Sequence, residues 1–466
     1  VSDYRDRPLI LVIFGITGDL AQRKLLPSLY YLLRRHELPE AIRIVGISRH
    51  ESAVSSVYER LNEFVGDDYE TSLGELLQSK TEMVQMNMED QGAYERLYNH
   101  LNELDTAEAP AVRLYYLSVP PDATMGIIEL LGKTGHNASP RCEKQNVRLL
   151  AEKPFGHDLA SAEELIQAVD TSFDESQVYR IDHYLAKETA QNILTFRFEN
   201  PLFEAVWDNQ HIDHITVLAY EQIGIEGRVA FYERLGALRD LVQSHLLQLL
   251  ALTTMARPEQ LESASIHAKK LKVLEAIAPV TADEARRGQY EGYRDEVSDP
   301  ESHTETYAQV RLHIDNDQWR GVPIILETGK ALSFKTTEIT VCFKQSLDAD
   351  HEHNRLVIRI QPNEGITLFL QAKRPGMENR TETAEMDFDY HNSFSERHAD
   401  AYERVIVDAI RGDQTLFASA PEVIASWRIL QPVLEMWSQT TDDLLTYSQG
   451  GSAPENSLNP HLHKRL

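Results

Sequence analysis

The sequence predicts two domains in series: an α/β domain with a parallel sheet, then a larger α+β domain whose sheet is mostly antiparallel. Three observations carry this. Short, largely apolar runs, PLILVIFGIT (8–17) and IRIVGISR (42–49), flank a helical pattern and read as strands buried on both faces. A glycine-bearing turn joins the first run to that helix, which makes a βαβ unit with a right-handed crossover. Past about Val178, strands follow strands rather than helices, and apolar and polar residues alternate or mix along them. The expected division is therefore 1–178 and 179–466.

Composition narrows the class. With 466 residues there is room for two or three domains. The chain is 42% hydrophobic and 26% charged, so a sizeable core and a soluble globular fold are expected. Its two cysteines, Cys142 and Cys342, are too few for a disulfide framework, and no CxxC or Cys/His cluster suggests a metal site. A reducing, cytoplasmic setting follows. The N-terminus lacks a signal-peptide pattern, and the apolar runs are too short to span a bilayer, so no membrane partner is expected. A net charge of −27 argues against nucleic acid. A small anionic ligand would need a local group of basic residues within this acidic chain.

The elements follow in order. The helical pattern after the first strand runs over 19–36, with Leu20, Leu25, Leu29 and Leu32 among its apolar positions. The turn before it reads Gly15-Ile16-Thr17-Gly18-Asp19-Leu20-Ala21, a GxxGxxA in place of the usual GxGxxG. It stands where a dinucleotide fingerprint stands, so Gly15, Thr17, Gly18, Asp19 and Leu20 are candidate cofactor-binding residues. Glycine there lets backbone N–H groups approach a pyrophosphate; the same glycines also fit an ordinary turn that needs positive φ. The second strand ends Ser48-Arg49, where NAD-binding folds commonly carry an acid. Arginine suits a 2′-phosphate, which makes NADP the expected cofactor, with a solvated turn arginine as the alternative. VRLYYLSVPP (112–121) and NVRLLAEKPFG (146–156) read as two further parallel strands. Ser118, Glu152 and Lys153 lie at their carboxyl ends, where ligands bind in open α/β sheets. Lys153 precedes a proline, so its backbone is expected to be extended; a plainly solvated lysine is the other reading.

At the domain boundary comes RIDHYLAKETAQN (180–192), which packs Asp182, His183, Tyr184 and Lys187 together. If the helix read in ETAQNILTF extends back through them, His183 and Lys187 stand at i and i+4 on one face, a seat for a phosphate or carboxylate. A solvated helix start with Asp182 near the positive end fits the same residues.

Beyond it, HIDHITVLAYEQ, TYAQVRLHIDN, EITVCFK and NRLVIRIQPNEGITLFLQAKR read as half-buried antiparallel strands. ALRDLVQSHLLQLLALTTMA and YERVIVDAIRGD read as helices, and the tail GGSAPENSLNPHLHKRL as loop or docked arm. In the helix over 238–255, His245 falls on the apolar stripe with Leu241, Val242 and Leu249, facing core or cleft. Most such histidines are structural; a catalytic one would need an acidic partner, for which Asp182 is a candidate.

Taken together, FGITGDLAQRKLLPSLY, AEKPFGHDL, RIDHYLAKE, EGRVAFYERLGALRDLVQSHLLQ, RRGQY, WRGVPIILETGKAL and RLVIRIQPNEGI resemble the glucose-6-phosphate dehydrogenase family. They occur in the family's order from about Leu9 to beyond Pro362. The resemblance implies a Rossmann domain and a larger domain whose antiparallel sheet makes oligomer contacts in a homodimer or homotetramer. It implies oxidation of glucose 6-phosphate at C1 to 6-phosphogluconolactone with NADP+ taking the hydride, the first oxidative step of the pentose phosphate pathway. By motif match it makes His245 the general base and Asp182 its partner, with His183, Tyr184 and Lys187 on the phosphate. Glu221 and Asp240 fall on sugar hydroxyls, Lys330 on the substrate, Lys153 between sugar and nicotinamide, and Arg49 by the 2′-phosphate. Lys335 occupies a substrate position that is Lys in some members and Arg in others. Glu233 and Ser244 depart from the family's usual Asp and Asn. The shorter tail gives no reason to expect the second, structural NADP+ of eukaryotic members. Two rival readings are a dehydrogenase of this fold with another sugar phosphate or with NAD+, and a non-catalytic relative, which should have lost Asp182 or His245.

Overall fold

The computed structural model describes residues 3–106, 109–344, 352–378, 380–394, 397, 399–454 and 458. In chain order its strands are β1 (Leu9–Phe14), β2 (Ile42–Ser48), β3 (Thr81–Gln85), β4 (Val112–Leu117), β5 (Val147–Ala151) and β6 (Val178–Ile181). Then come β7 (Ile212–Tyr220), β8 (Ala285–Tyr290), β9 (Tyr307–Leu312), β10 (Ile324–Gly329), β11 (Thr336–Phe343) and β12 (Arg355–Gln361). The last are β13 (Gly365–Lys373), β14 (Thr381–Asp389), β15 (Phe417–Ala418) and β16 (Leu444–Tyr447). Two compact units contain them. The first is Val1–Gly156, Ala160–Ala186 and Ala399–Ala420; the second is His157–Leu159, Lys187–His398 and Pro421–Leu466.

The first unit is a seven-stranded sheet in the order β15-β6-β5-β4-β1-β2-β3, parallel except for β15. Successive side chains of a strand point to opposite faces. Leu9, Leu11 and Ile13 accordingly join one apolar cluster, and Ile10, Val12 and Phe14 another. Both faces are covered, which explains why β1 reads as an unbroken apolar run. Strand order reverses between β4 and β1, and the ligand crevice of such a sheet opens at that switch, beyond the carboxyl ends of the strands.

The helix Ala401–Arg411 does not belong where its position in the sequence suggests. It forms as YERVIVDAIRGD predicts, closed at its start by a capping box between Asp400 and Glu403 and at its end by Gly412 with φ 86°. Its Val405, Ile406, Val407 and Ile410, however, pack in the first unit with Leu9, Leu11 and Ile13. The buried Arg148 guanidinium donates to the Ile410 carbonyl at 2.7 Å, satisfying an end that the helix leaves open.

The second unit is a nine-stranded sheet in the order β14-β13-β12-β11-β7-β10-β9-β8-β16. It is mostly antiparallel, but β10 runs parallel to β7, and β16 to β8. Strand β7 is not half-buried as its alternating residues suggest: every position except Asp213 is buried. It lies mid-sheet, and the helical run Leu238–Leu246 packs on β7, β9 and β10. Of the tail, residues 455–457 and 459–466 lie outside the described residues. Leu458 is docked, its N–H on the Gln309 side-chain oxygen and its carbonyl taking the Arg311 guanidinium at 2.8 Å. Among the described residues no helix is long and apolar enough to cross a membrane.

Candidate active site

In the first unit, a cavity of about 640 Å³ opens at the switch between β1 and β4, lined by Gly15, Thr17, Gly18, Ser48, Arg49 and Ser118 among others. Gly15 has φ 77°, and a Cβ there would stand 2.3 Å from the Ser118 carbonyl oxygen, so the turn demands glycine. Backbone bonds fix it: Gly18 N–H to the Gly15 carbonyl at 2.9 Å, and Gly15 N–H to Ile47 at 3.1 Å. The following helix opens with a π-helical stretch, Ala21–Leu25, whose wide turn is closed by the Leu26 N–H on the Ala21 carbonyl. Ser48 is buried and Arg49 exposed on the rim. Asp19 and Leu20 do not line the cavity; Asp19 pairs with Arg23 at 2.8 Å on the exposed helix face. The cavity also takes in His50, Asn87 and Lys133, which the sequence reading missed. Asn87 follows β3, a mixed strand too short to stand out, and Lys133 reaches the cavity from a helix end.

Lys153 stands two residues past β5, half-buried, and does not line this cavity. Its peptide bond to Pro154 is cis. Beside it, the Tyr116 hydroxyl donates to Glu152 at 2.5 Å. Burial pushes the Glu152 carboxyl up to about 7, against the opposing pull of the Tyr116 hydroxyl, the Lys153 charge and the Tyr402 hydroxyl.

Asp182, His183 and Tyr184 follow the carboxyl end of β6. They are not on a helix. The chain turns through 183–186, and the helix begins only at Glu188, with Lys187 as its N-cap in extended conformation. The i, i+4 stacking of His183 and Lys187 therefore does not form. The cause is local: the Asp182 carboxylate takes the Tyr184 N–H at 2.9 Å, an Asx turn that competes with helix. Asp182 is 4% exposed, and the His183 and Tyr184 rings lie 5.0 Å apart.

In the second unit the parallel pair β7/β10 matters. Its register sets Tyr220 opposite Gly329, so the next residues, Glu221 and Lys330, emerge side by side. Their side chains form an ion pair, and the Glu221 N–H is held by the Gly329 carbonyl at 2.9 Å. The buried Lys330 ammonium lies 5.2 Å from the centre of the Tyr232 ring. Burial raises the Tyr232 phenol well above its ordinary range, and the charges of Asp240, Glu305 and Glu221 raise it further. Asp240, Glu221 and Lys330 are thus gathered around one tyrosine that the sequence reading missed. Lys335 is exposed in the loop after β10.

Asp240 and His245 both ride the run Leu238–Leu246, which is π-helical, a wide pitch that recurs at functional sites. His245 is 1% exposed. Ser244 bonds back to the Asp240 carbonyl at 3.0 Å. Glu233 accepts hydroxyls from Tyr293 at 2.5 Å and Ser302 at 2.9 Å and so clamps a loop. Among the described residues no group of three His, Cys, Asp or Glu is arranged to hold a metal ion.

A glycine-built cavity at the switch point of a parallel sheet, on a chain whose second sheet gathers acidic and basic side chains, is the arrangement of a nucleotide-binding α/β protein with a separate polar site. Comparison with known proteins narrows this. Residues 12–192 match the NAD binding domain of glucose-6-phosphate dehydrogenase, and residues 194–464 its C-terminal domain. The glucose-6-phosphate 1-dehydrogenase of Chlamydia muridarum is 40% identical over 478 residues, covering 97% of this chain and 94% of that one. A solved glucose-6-phosphate dehydrogenase in complex with its substrate glucose-6-phosphate has a TM-score of 0.91 at 32% identity, covering 97% of this chain and 96% of that chain. The glucose-6-phosphate 1-dehydrogenase of Mycobacterium avium gives 0.84 at 33%, over the same shares. The chain belongs to the glucose-6-phosphate dehydrogenase family.

Proposed function

We propose that the protein oxidises glucose 6-phosphate at C1 to 6-phosphogluconolactone, the first oxidative step of the pentose phosphate pathway, with NADP+ as acceptor. The observation that carries the reading is the match of both domains, from 12 to 464, to one dehydrogenase family. His245 removes the C1 hydroxyl proton as the carbonyl forms; an imidazole titrates near neutrality and suits that task. Asp182 orients the imidazole and stabilises its charged form. His183, Tyr184 and Lys187 grip the phosphate. Glu221 and Asp240 accept bonds from sugar hydroxyls, Lys330 and Lys335 add substrate contacts, and Lys153 stands by sugar and nicotinamide. Bound NADP+ supplies the hydride acceptor.

The glycine-lined cavity fits a dinucleotide, because backbone N–H groups and a helix start can approach its phosphates closely. Gly15, Thr17, Gly18, Ser48, Arg49 and Ser118, which line it, hold it in this reading, while Asp19 and Leu20 belong to the helix start beside it and do not reach into it. Arg49, on the rim and with no acid at the end of β2, selects the 2′-phosphate. The functional division is nucleotide binding in 1–178 and substrate binding with self-association in 179–466, the stretch 399–420 supporting the fold of the first unit. Self-association, as a homodimer or homotetramer, draws on β14: an edge strand exposed over most of its length, with Met386 65% exposed. Two free cysteines accord with a cytoplasmic setting.

The test is the absorbance of reduced nicotinamide on mixing protein, glucose 6-phosphate and NADP+, run beside NAD+ and other phosphorylated hexoses. Turnover with glucose 6-phosphate should have the highest kcat/KM. A higher value with another sugar phosphate would transfer the reading to that substrate.

A further inference from the structure

The run that carries Asp240 and His245 starts at a break. The preceding helix, Val229–Ala237, loses its helical course at Gly236, with φ 66° and ψ 177°. The first N–H groups after such a break have no partner within the new helix and must find one elsewhere. Here both turn to one residue far along the chain. The Ala237 N–H donates to the Glu305 backbone carbonyl at 2.9 Å, and the Leu238 N–H to Glu305 Oε1 at 3.0 Å. Glu305 is 5% exposed, in the segment entering β9. Gly236 is cut to fit it: a Cβ there would meet Glu305 Oε1 at 2.3 Å. Burial pushes the Glu305 carboxyl above its ordinary range, while the charge of Arg239 and the Leu238 N–H pull it down; either protonation state leaves Oε1 an acceptor.

The same segment is pinned on its other side. Ser302 and Thr304 donate their hydroxyls to Glu233 at 2.9 Å and 3.3 Å. The Thr306 carbonyl takes the Lys330 N–H at 2.9 Å, and the Tyr447 hydroxyl bridges the Thr306 hydroxyl and the Lys330 carbonyl, each at 2.8 Å. Consecutive residues 305 and 306 therefore hold the start of the Asp240/His245 run and the backbone of Lys330.

We propose that Glu305 is a positioning residue for the reaction: it caps the run Leu238–Leu246 from outside and sets Asp240 and His245 in register with Lys330 and Glu221. This rests on the reading of His245 as the base. A cap that served stability alone would lower the melting temperature and leave the folded enzyme's turnover intact. A positioning cap lowers turnover in folded protein, because small displacements of a base are costly.

The test uses full-length Glu305→Ala, Glu305→Gln and Gly236→Ala, assayed with glucose 6-phosphate and NADP+, with kcat referred to folded protein by circular dichroism. Glu305→Ala should lose kcat roughly 10- to 100-fold with KM for NADP+ unchanged. Glu305→Gln, whose amide oxygen still accepts the Leu238 N–H, should recover most of the turnover. Gly236→Ala, which pushes on the same contact from the other side, should match Glu305→Ala. If Glu305→Ala fails to fold, the contrast between Glu305→Gln and Gly236→Ala decides. Wild-type kcat in folded Glu305→Ala, or in Gly236→Ala, overturns the inference. His245→Asn is run alongside: wild-type turnover there overturns the underlying reading, whereas an inactive His245→Asn beside a fully active Glu305→Ala overturns the positioning role alone.

Discussion

The strand ends of the two units are furnished by opposite means. In the first, backbone makes the site: Gly15 and Gly18 bring peptide groups to the cavity, and the cations Arg49 and Lys133 that line it are exposed. In the second, side chains make it: Lys330 is 3% exposed and paired with Glu221, and His245 is 1% exposed. Charges on a rim are hydrated and screened, whereas buried ones interact strongly and cannot lose a partner cheaply. Side-chain substitutions should therefore cost more in the second unit than in the first.

The largest expected effect tests that contrast at its extreme. His245→Asn keeps a polar side chain of similar reach but cannot accept the C1 hydroxyl proton, the role proposed for His245. General-base catalysis contributes about 10²–10⁴-fold, so kcat should fall by that order while glucose 6-phosphate binding changes little. Asp182→Asn should act through the same imidazole, so the double variant should lose less than the product of the single losses. Near-normal turnover in His245→Asn would make the histidine a core residue and leave the second unit without its defining group.

The next effect is on stability. Glu422, on the helix Ala420–Gln439, is fully buried with Lys270 at 2.9 Å and His267 at 2.7 Å, and Lys270 also donates to Gln248 at 2.9 Å. Burial alone would raise the Glu422 carboxyl, but the charges of Lys270 and His267 and their hydrogen bonds hold it at about 2. Its folded pKa is thus depressed below the ordinary 4.5. Its contribution is fully present above about pH 4.5 and is lost as pH falls towards 2. Removing one partner of a buried pair costs about 3–5 kcal/mol. Glu422→Gln should therefore unfold at lower denaturant at neutral pH, and its deficit relative to wild type should shrink on acidification. A deficit that does not vary with pH would mean that lost packing, rather than lost charge, destabilises the variant.

The same contrast explains what the sequence disclosed. The first unit's site is local: a strand, a glycine turn and a helix start are consecutive, so Gly15, Gly18 and Ser48-Arg49 were readable from period and turn chemistry. The second is assembled from pairings that no local pattern carries. Glu221 and Lys330 meet only because β10 runs parallel to β7 within a mostly antiparallel sheet. The 3.6-residue stripe put His245 among apolar neighbours, yet it did not reveal the π-helical pitch or the break at Gly236. The i, i+4 seat for His183 and Lys187 depends on the helix read in ETAQNILTF extending back through them, and a single Asx turn at Asp182 stops it at Glu188. The helix Ala401–Arg411 was correctly read as an element, but amphipathic pattern says that a face is buried, not against which sheet.

The smallest effect belongs to Arg49, and it sharpens the comparison from the other side. An arginine paired with a 2′-phosphate makes charge-assisted hydrogen bonds of about 1.5–3 kcal/mol. Arg49→Ala should raise KM for NADP+ by about an order of magnitude or more and leave NAD+ kinetics nearly unchanged. Because Arg49 is exposed, its interaction should weaken with salt, the screening length being about 10 Å at 0.1 M and about 3 Å at 1 M. The ratio of variant to wild-type KM should fall as salt rises, while the kcat deficit of His245→Asn, from a buried group, stays constant. Equal losses with both cofactors would remove the 2′-phosphate assignment. A salt-independent ratio would mean that Arg49 is enclosed when the dinucleotide binds, so that the first unit, too, finishes its site with a buried charge.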